Sequence, residues 1–426
     1  MSILTQLKQQ LCEKMAQLHA NQGVVALTAE WQLTDADFSL LGWLKAQSHS
    51  FPHYFLQHRD APQTLIGMGQ MIYFDDKALA QQFVSQTGFT LLGRVAFEGK
   101  ACFILPRLMG ELQAAKLRFT LYIDSDQLAT EQRQLAPFFA NFEKIEPLVF
   151  APNTLLNRQE AISENAWQAH VEQATHAINE QQFSKVVLAN AYTLSFAHPI
   201  SPYDLLQESL KTNLGCYQFL WAESSEQAFL GATPERLYAR EDNQLFTEAL
   251  AGTVAASNES AQTEANAAWL LNDTKNQIEN QLVVEDIAIH LADEVDDFQV
   301  GQAEIKRLNH VQHLRRPIRT TLKTGVSDMR CLSRLHPTAA IAGLPRLAAK
   351  QFIAQTEPFK RNWYAGALGF VSPERSEFCV TLRSAQVHGN KLIVYAGAGI
   401  VAGSEPQAEW QEIARKSQAM IKLFHT

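Results

Sequence analysis

No apolar run in the 426 residues reaches the roughly 18 that a membrane-crossing helix requires. No CxxC pair occurs either. The five cysteines (Cys12, Cys102, Cys216, Cys331, Cys379) are odd in number and widely scattered, which excludes a disulfide scaffold and predicts reduced thiols of the cytoplasm. Positive charge is in deficit, with 36 Lys and Arg against 44 Asp and Glu and a net charge of −8, so a general nucleic-acid binder is excluded. The opening "MSILTQLKQQLCEKMAQL" has helical amphipathicity but no apolar h-region and no small-residue cleavage site, and is not expected to be a signal peptide. Solenoid repeats and Pro/Ser-rich linkers are missing too. These absences leave a cytoplasmic protein without nucleic-acid or membrane partners. Nothing calls for an obligate protein partner, and a monomer is expected.

What is present is enough apolar residue, 46%, for a large core. "LLGRVAFEGKACFILPRL", "KLRFTLYI" and "KIEPLVFA" read as strands with turn breaks. "SENAWQAHVEQATHAINEQ" has helical period with Ser163 as N-cap. Strands follow at "SKVVLANAYTLSF", "CYQFLWA", "QAFLGA" and "QLFTEALAGTVA", then one long helix from Glu264 to Asp293. The remainder predicts a helix over "AAIAGLPRLAAKQFI", strands at "AGALGFVS", "EFCVTLRSAQVHG" and "KLIVYAGAGIVAG", and a closing helix. Hairpin-like strands interleaved with helices predict an α+β fold with antiparallel sheets. The weakest division falls near residue 150, separating an N-terminal portion (1–150) from the part that carries the chemistry (151–426); the two are expected to form one unit.

Four stretches carry chemistry. In "YAGAGIVAGSEPQAEWQEIARKSQAM", Glu409, Glu412 and Lys416 recur at three- and four-residue steps, which stacks them on one helix face. Ser404 with Gln407 fits a capping box and Pro406 suits a first turn, so the helix starts at the end of a glycine-rich loop, where anions are attracted. Glutamates in a first turn also simply suit the macrodipole. In "NDTKNQIENQLVVEDIAIHLADEV", Asn272, Lys275 and Glu279 fall in line amid apolar neighbours. One carboxylate from each of two helices is a donor set that Mg²⁺ accepts; a boundary glutamate is the plainer alternative.

In "FSKVVLANAYTL", the strand has apolar residues on both faces, so Lys185 is either a buried amine fit for base chemistry or an edge-strand lysine that discourages aggregation. In "FLGATPERLY", Glu235 follows a strand end. It is either a solvated turn residue or the acid that complements Lys185.

Together these stretches resemble the chorismate-utilising enzymes, a family that includes anthranilate, aminodeoxychorismate, salicylate and isochorismate synthases. The resemblance rests on an ordered series: "KVVLA", "FLGATPERL", "EALAGT", "KNxxE" at Lys275 to Glu279, "LHPTAAIAGLP", "EPFKRNWYAGALG", "TLRSA" and "YAGAGIVAGSEPxxEWxE". It extends more loosely to "YFLQHRD" and "LLGRVAFEG". It implies two antiparallel sheets packed face to face with helices outside. It further implies that Glu279 and Glu412 hold Mg²⁺, with Glu409 supporting it through water, and that Arg383 and Lys416 pair with the carboxylates of chorismate. Gly252 and Gly397 would present backbone amides, and His313 and Ala340 would lie against the ring.

A lysine at position 185 marks the family members that add water to the ring. The aminating enzymes that use a lysine nucleophile carry it before "GT", where this chain has Ala251. The resemblance therefore implies an isochorismate synthase, most similar to those of the menaquinone pathway. Lys185 would activate water for attack at C2 and Glu235 would protonate the departing C4 hydroxyl, both held near neutral pKa by burial. No glutaminase subunit is implied. Salicylate synthases share this pair and go on to eliminate pyruvate, and siderophore-pathway isochorismate synthases share the whole reaction; these are the alternatives. A ligand-binding protein without catalysis would need no acid/base pair.

Overall fold

Alternation of apolar residues along the strands is resolved by pairing on both edges. A computed structural model describes residues 2–20, 22–33, 38–257, 259–309 and 311–421. Within them the strands form one sheet of twelve and one of ten, every pair antiparallel. The sheets pack face to face. Alternate residues of the larger sheet (Tyr54, Leu56, Tyr217, Phe219, Trp221) interdigitate with alternate residues of the smaller (Leu92, Cys102, Ile104, Leu368, Phe370) in one apolar cluster. A second, larger cluster joins the sheets to the helices that cover them. Each fully buried Leu, Phe or Val there contributes roughly 1.5–3 kcal/mol.

The larger sheet runs without interruption from strands of residues 24–124 into later ones, because His53–Gln57 pairs along its length with Tyr217–Ala222. Ser163 caps its helix as expected, accepting from the Ala166 amide.

Four local expectations are corrected. "KIEPLVFA" is not a strand. Pro147 lacks an amide, and the segment's polar groups go to side chains instead, Pro147 O to Lys45 and Val149 N to Asp204. The long helix is two, Ser260–Asn272 and Thr274–Leu291; Asp273 breaks it by capping the second through the Asn276 amide at 2.9 Å. Asn272 therefore lies on a different helix from Lys275 and Glu279. The helix predicted from residue 339 begins only at Arg346, after Gly343–Leu344 has paired with Lys185–Val186. Finally, "EFCVTLRSAQVHG" is divided between the sheets, Arg375–Val380 in the smaller and Ser384–His388 in the larger.

Candidate active site

That division has a counterpart. Gln227–Thr233 belongs to the larger sheet and Arg236–Glu241 to the smaller, so the chain also changes sheets at Pro234–Glu235. The two crossovers bond to one another: Ala232 N donates to Arg383 O, and Val380 N donates to Glu235 O, both at 3.1 Å. Glu235 and Arg383 are thus set beside one cavity by the points where the sheets exchange strands. Arg383 adopts φ +45°, a left-handed conformation uncommon for a side-chain-bearing residue and frequent at functional sites. A third irregularity adjoins them. The register of strand Gln244–Ala255 shifts between Leu250 and Thr253, and Gly252 there has φ +90°; a Cβ on it would come within 2.9 Å of Asn276 Oδ1.

The opposite wall is made by helices Thr274–Leu291 and Pro406–Ile421. Glu279, Glu409, Glu412 and Lys416 all line the cavity from there, with Lys275. The closing helix does start at Pro406, but Ser404 is not its cap: its hydroxyl accepts from the Val401 amide, two residues ahead of the helix. Lys416 Nζ donates to Glu412 Oε1 at 2.7 Å and to Gly397 O at 3.0 Å, and Lys275 approaches Glu409 at 3.5 Å. Gly252, His313, Ala340 and Gly397 complete the lining, with Tyr364 and Tyr395, stacked at 5.0 Å, on one side. The space, about 150 Å³, admits a small ring acid and no polymer.

Lys185 sits behind this lining. It is 1% exposed, pairs with Val401 on one side and Leu344 on the other, and is no edge-strand lysine. Its Nζ reaches Glu279 Oε1 at 2.9 Å. Gly399 makes that possible: a Cβ there would stand 2.7 Å from Glu279 Oε1 and 3.2 Å from Lys185 Cε.

Electrostatics divide the cavity. Burial, reinforced by the charge of Glu248, raises the Glu235 carboxyl to about 8 against the pull of Lys185, Arg59 and Lys416, so it is protonated at neutral pH. His313 is kept neutral, chiefly by burial and then by Arg383 and Lys416. Its Nε2 lies 2.6 Å from an Arg383 amine, which can only donate, so Nε2 accepts and Nδ1 carries the proton toward Thr253 Oγ1 at 3.0 Å. Among the described residues Arg383 has no carboxylate partner; it is a cation prepared for an anion.

At the other end, Glu409 is raised by burial, then by Glu412, with Glu279 adding further repulsion. No three of the described His, Cys, Asp and Glu residues are grouped so as to hold a metal ion by themselves. A cation that keeps its waters needs fewer, and a bound cation would relieve the repulsion that Glu412 and Glu279 exert on Glu409; Glu412 itself, which burial alone would raise, is held below its ordinary value chiefly by Lys416. The donor set fits Mg²⁺.

The structure thus brings Glu235, Gly252, Glu279, His313, Ala340, Arg383, Gly397, Glu409, Glu412 and Lys416 to one cavity, with Lys185 against its Glu279 edge. Sequence reasoning missed Asn276, Thr253, Tyr364 and the buried Arg59–Glu248 pair. The tyrosines stand in quoted motifs, but nothing local says which face of a strand looks into a cleft.

A family model for chorismate-binding enzymes matches residues 94–425. The isochorismate synthase MenF of Haemophilus influenzae is 41% identical over 99% of this chain and 98% of its own. That of Escherichia coli is 40% identical over 99% of both. The solved structure of MenF, the menaquinone-specific isochorismate synthase from Escherichia coli, superposes with a TM-score of 0.94 over 99% of each chain. Anthranilate synthase component I from Streptococcus pneumoniae, at 19% identity and a TM-score of 0.63, shares the fold. No helix among the described residues is long and apolar enough to cross a membrane. Agreement of this extent, in sequence and architecture alike, makes the chain a member of the chorismate-binding enzyme family.

Proposed function

We propose that the chain is an isochorismate synthase, moving the hydroxyl of chorismate from C4 to C2 by adding water at one carbon and releasing it at the other. The observation that carries this reading is Glu235, a carboxyl that keeps its proton to about pH 8 inside the cavity. A departing hydroxyl needs such a donor; a carboxylate could not serve. Lys185 is the base for the incoming water. A neutral amine keeps two N–H bonds beside its lone pair, so Lys185 can go on donating to Glu279 while the lone pair accepts from the water. Arg383 and Lys416 take carboxylates of the dianion, His313 and Ala340 lie against the ring, and Gly252 and Gly397 bring the backbone close. Glu279 and Glu412 would hold Mg²⁺, with Glu409 behind a water, and the ion supplies a positive charge for the ring carboxylate.

Full-length similarity to a menaquinone-specific enzyme supports the same pathway here. Five free cysteines support a cytoplasmic setting. The direct test is incubation with chorismate and Mg²⁺ followed by chromatography of the product. Isochorismate is expected. Salicylate with pyruvate would select a salicylate synthase instead.

Two further results are expected. Chelation should abolish turnover and added Mg²⁺ restore it; full activity in excess chelator would remove the metal from Glu279 and Glu412. Ammonium salts should yield no anthranilate, and no glutaminase should be needed, because Ala251 stands where a nucleophilic lysine would and Lys185 stands at the water-activating position. Anthranilate at a comparable rate would move the chain to the aminating branch.

A further inference from the structure

Arg59, from "YFLQHRD", and Glu248, the first residue of "EALAGT", have no part in the reaction described above. Both side chains are fully buried and form an ion pair, with Arg59 Nη2 donating to Glu248 Oε2 at 2.8 Å. Arg315 Nε donates to the same Oε2 at 2.7 Å. The pair grips the chain on both sides of Glu235. Arg59 donates to Pro234 O, and the Arg236 amide donates to Glu248 Oε1 at 3.1 Å. Neither bond is needed to complete a sheet ladder; both fix the peptide from which Glu235 projects.

We propose that Glu248, fixed by Arg59 and Arg315, is a positioning residue that holds the Glu235 carboxyl in place as the proton donor. This rests on the reading of Glu235 as the acid. The charge arrangement supports it. Burial alone would raise Glu248, but the hydrogen bond and charge of Arg59, with Arg315, outweigh it and hold Glu248 at about 2. It is therefore a permanent anion, and two neighbouring carboxyls do not both ionise in a buried site. The charges that act most strongly on Glu235 are Glu248, Lys185, Arg59 and Lys416; of these only Glu248 favours its neutral form. A buried ion pair is weak evidence for stability by itself. Placed here, it sets the charge state of a third group.

The test compares the pH dependence of kcat/KM with the infrared titration of the Glu235 carboxyl band, identified by its loss in Glu235→Gln. Glu248→Gln should move both the alkaline limb and the band titration down by about one pH unit. Arg59→Gln should move both down as well, because Glu248 loses the hydrogen bond and charge that keep it ionised and no longer opposes the anion of Glu235. Glu248→Asp, which keeps the charge, should leave the titration near that of the parent. A purely structural pair would loosen the segment in every variant and shift Glu248→Asp together with the other two. A Glu248→Asp shift as large as that of Glu248→Gln, or no shift of the band in Glu248→Gln, would overturn the proposal and leave the acid role of Glu235 standing. Downward shifts of the band confined to the two charge-changing variants, with an unmoved rate profile, would uphold the role of Glu248 and remove Glu235 from the chemistry.

Discussion

Lys185→Arg is expected to be nearly as inactive as Lys185→Ala, with turnover reduced by ~10²–10⁴ and chorismate affinity little changed. A guanidinium stays protonated and cannot accept a proton from water, whereas it satisfies Glu279 as well as an ammonium does. In the proposed site the substrate carboxylates go to Arg383 and Lys416, so binding is expected to survive the substitution. Charge without basicity is what the Arg variant isolates. Steady-state kinetics with calorimetric titration of chorismate measure both quantities. A Lys185→Arg enzyme that keeps most of its turnover would refute the base role, whatever the Ala variant does.

Glu235→Gln is expected to stop the forward reaction to a similar or greater degree, because an amide N–H is far too weak an acid to protonate the departing hydroxyl. In the parent, activity should fall as pH rises through about 8, where Glu235 loses its proton. The same shift has a stability consequence of definite sign. The folded state holds this proton up to about 8 and the unfolded state only to the ordinary 4.5, so between those values the folded state binds more protons. The contribution of Glu235 to stability is fully present below 4.5 and is lost as pH rises through about 8. The Gln variant, with nothing to ionise, should resist denaturant at pH 9 better than the parent while being inactive. Equal loss of stability across the whole pH range would contradict a buried neutral carboxyl.

Much of the site was legible in the sequence because its residues lie in long motifs and at helical spacing: Glu409, Glu412 and Lys416 share a face by periodicity alone. Lys185 was half legible. Its apolar neighbours announced burial, but whether a strand is central or at an edge depends on Gly343–Leu344 and Lys391–Val401, which are far away in sequence. The break at Asp273 was signalled by an Asn-Asp-Thr sequence that suits a cap, and was overridden by the continuing apolar period. The division of "EFCVTLRSAQVHG" left no local mark. It has neither glycine nor proline at the switch, and the left-handed residue is an arginine. The reason for the switch lies in the partner crossover at Glu235, about 150 positions earlier in the chain, and no window on one segment contains it.

Those two crossovers have a consequence for motion. Because Ala232 bonds to Arg383 and Val380 to Glu235, sliding one sheet over the other would first break the bonds that set Glu235 and Arg383 beside the cavity. The sheet side of the cavity therefore behaves as a fixed anvil. The helix side is closed by long side chains: Lys275 is half exposed where it meets the nearly buried Glu409, and Lys416 and Glu412 are each about a third exposed. Such contacts between charged groups near water exchange readily. If Lys416 takes a substrate carboxylate as proposed, admission and release are expected at the helical wall, where the partly exposed lysine contacts break at least cost.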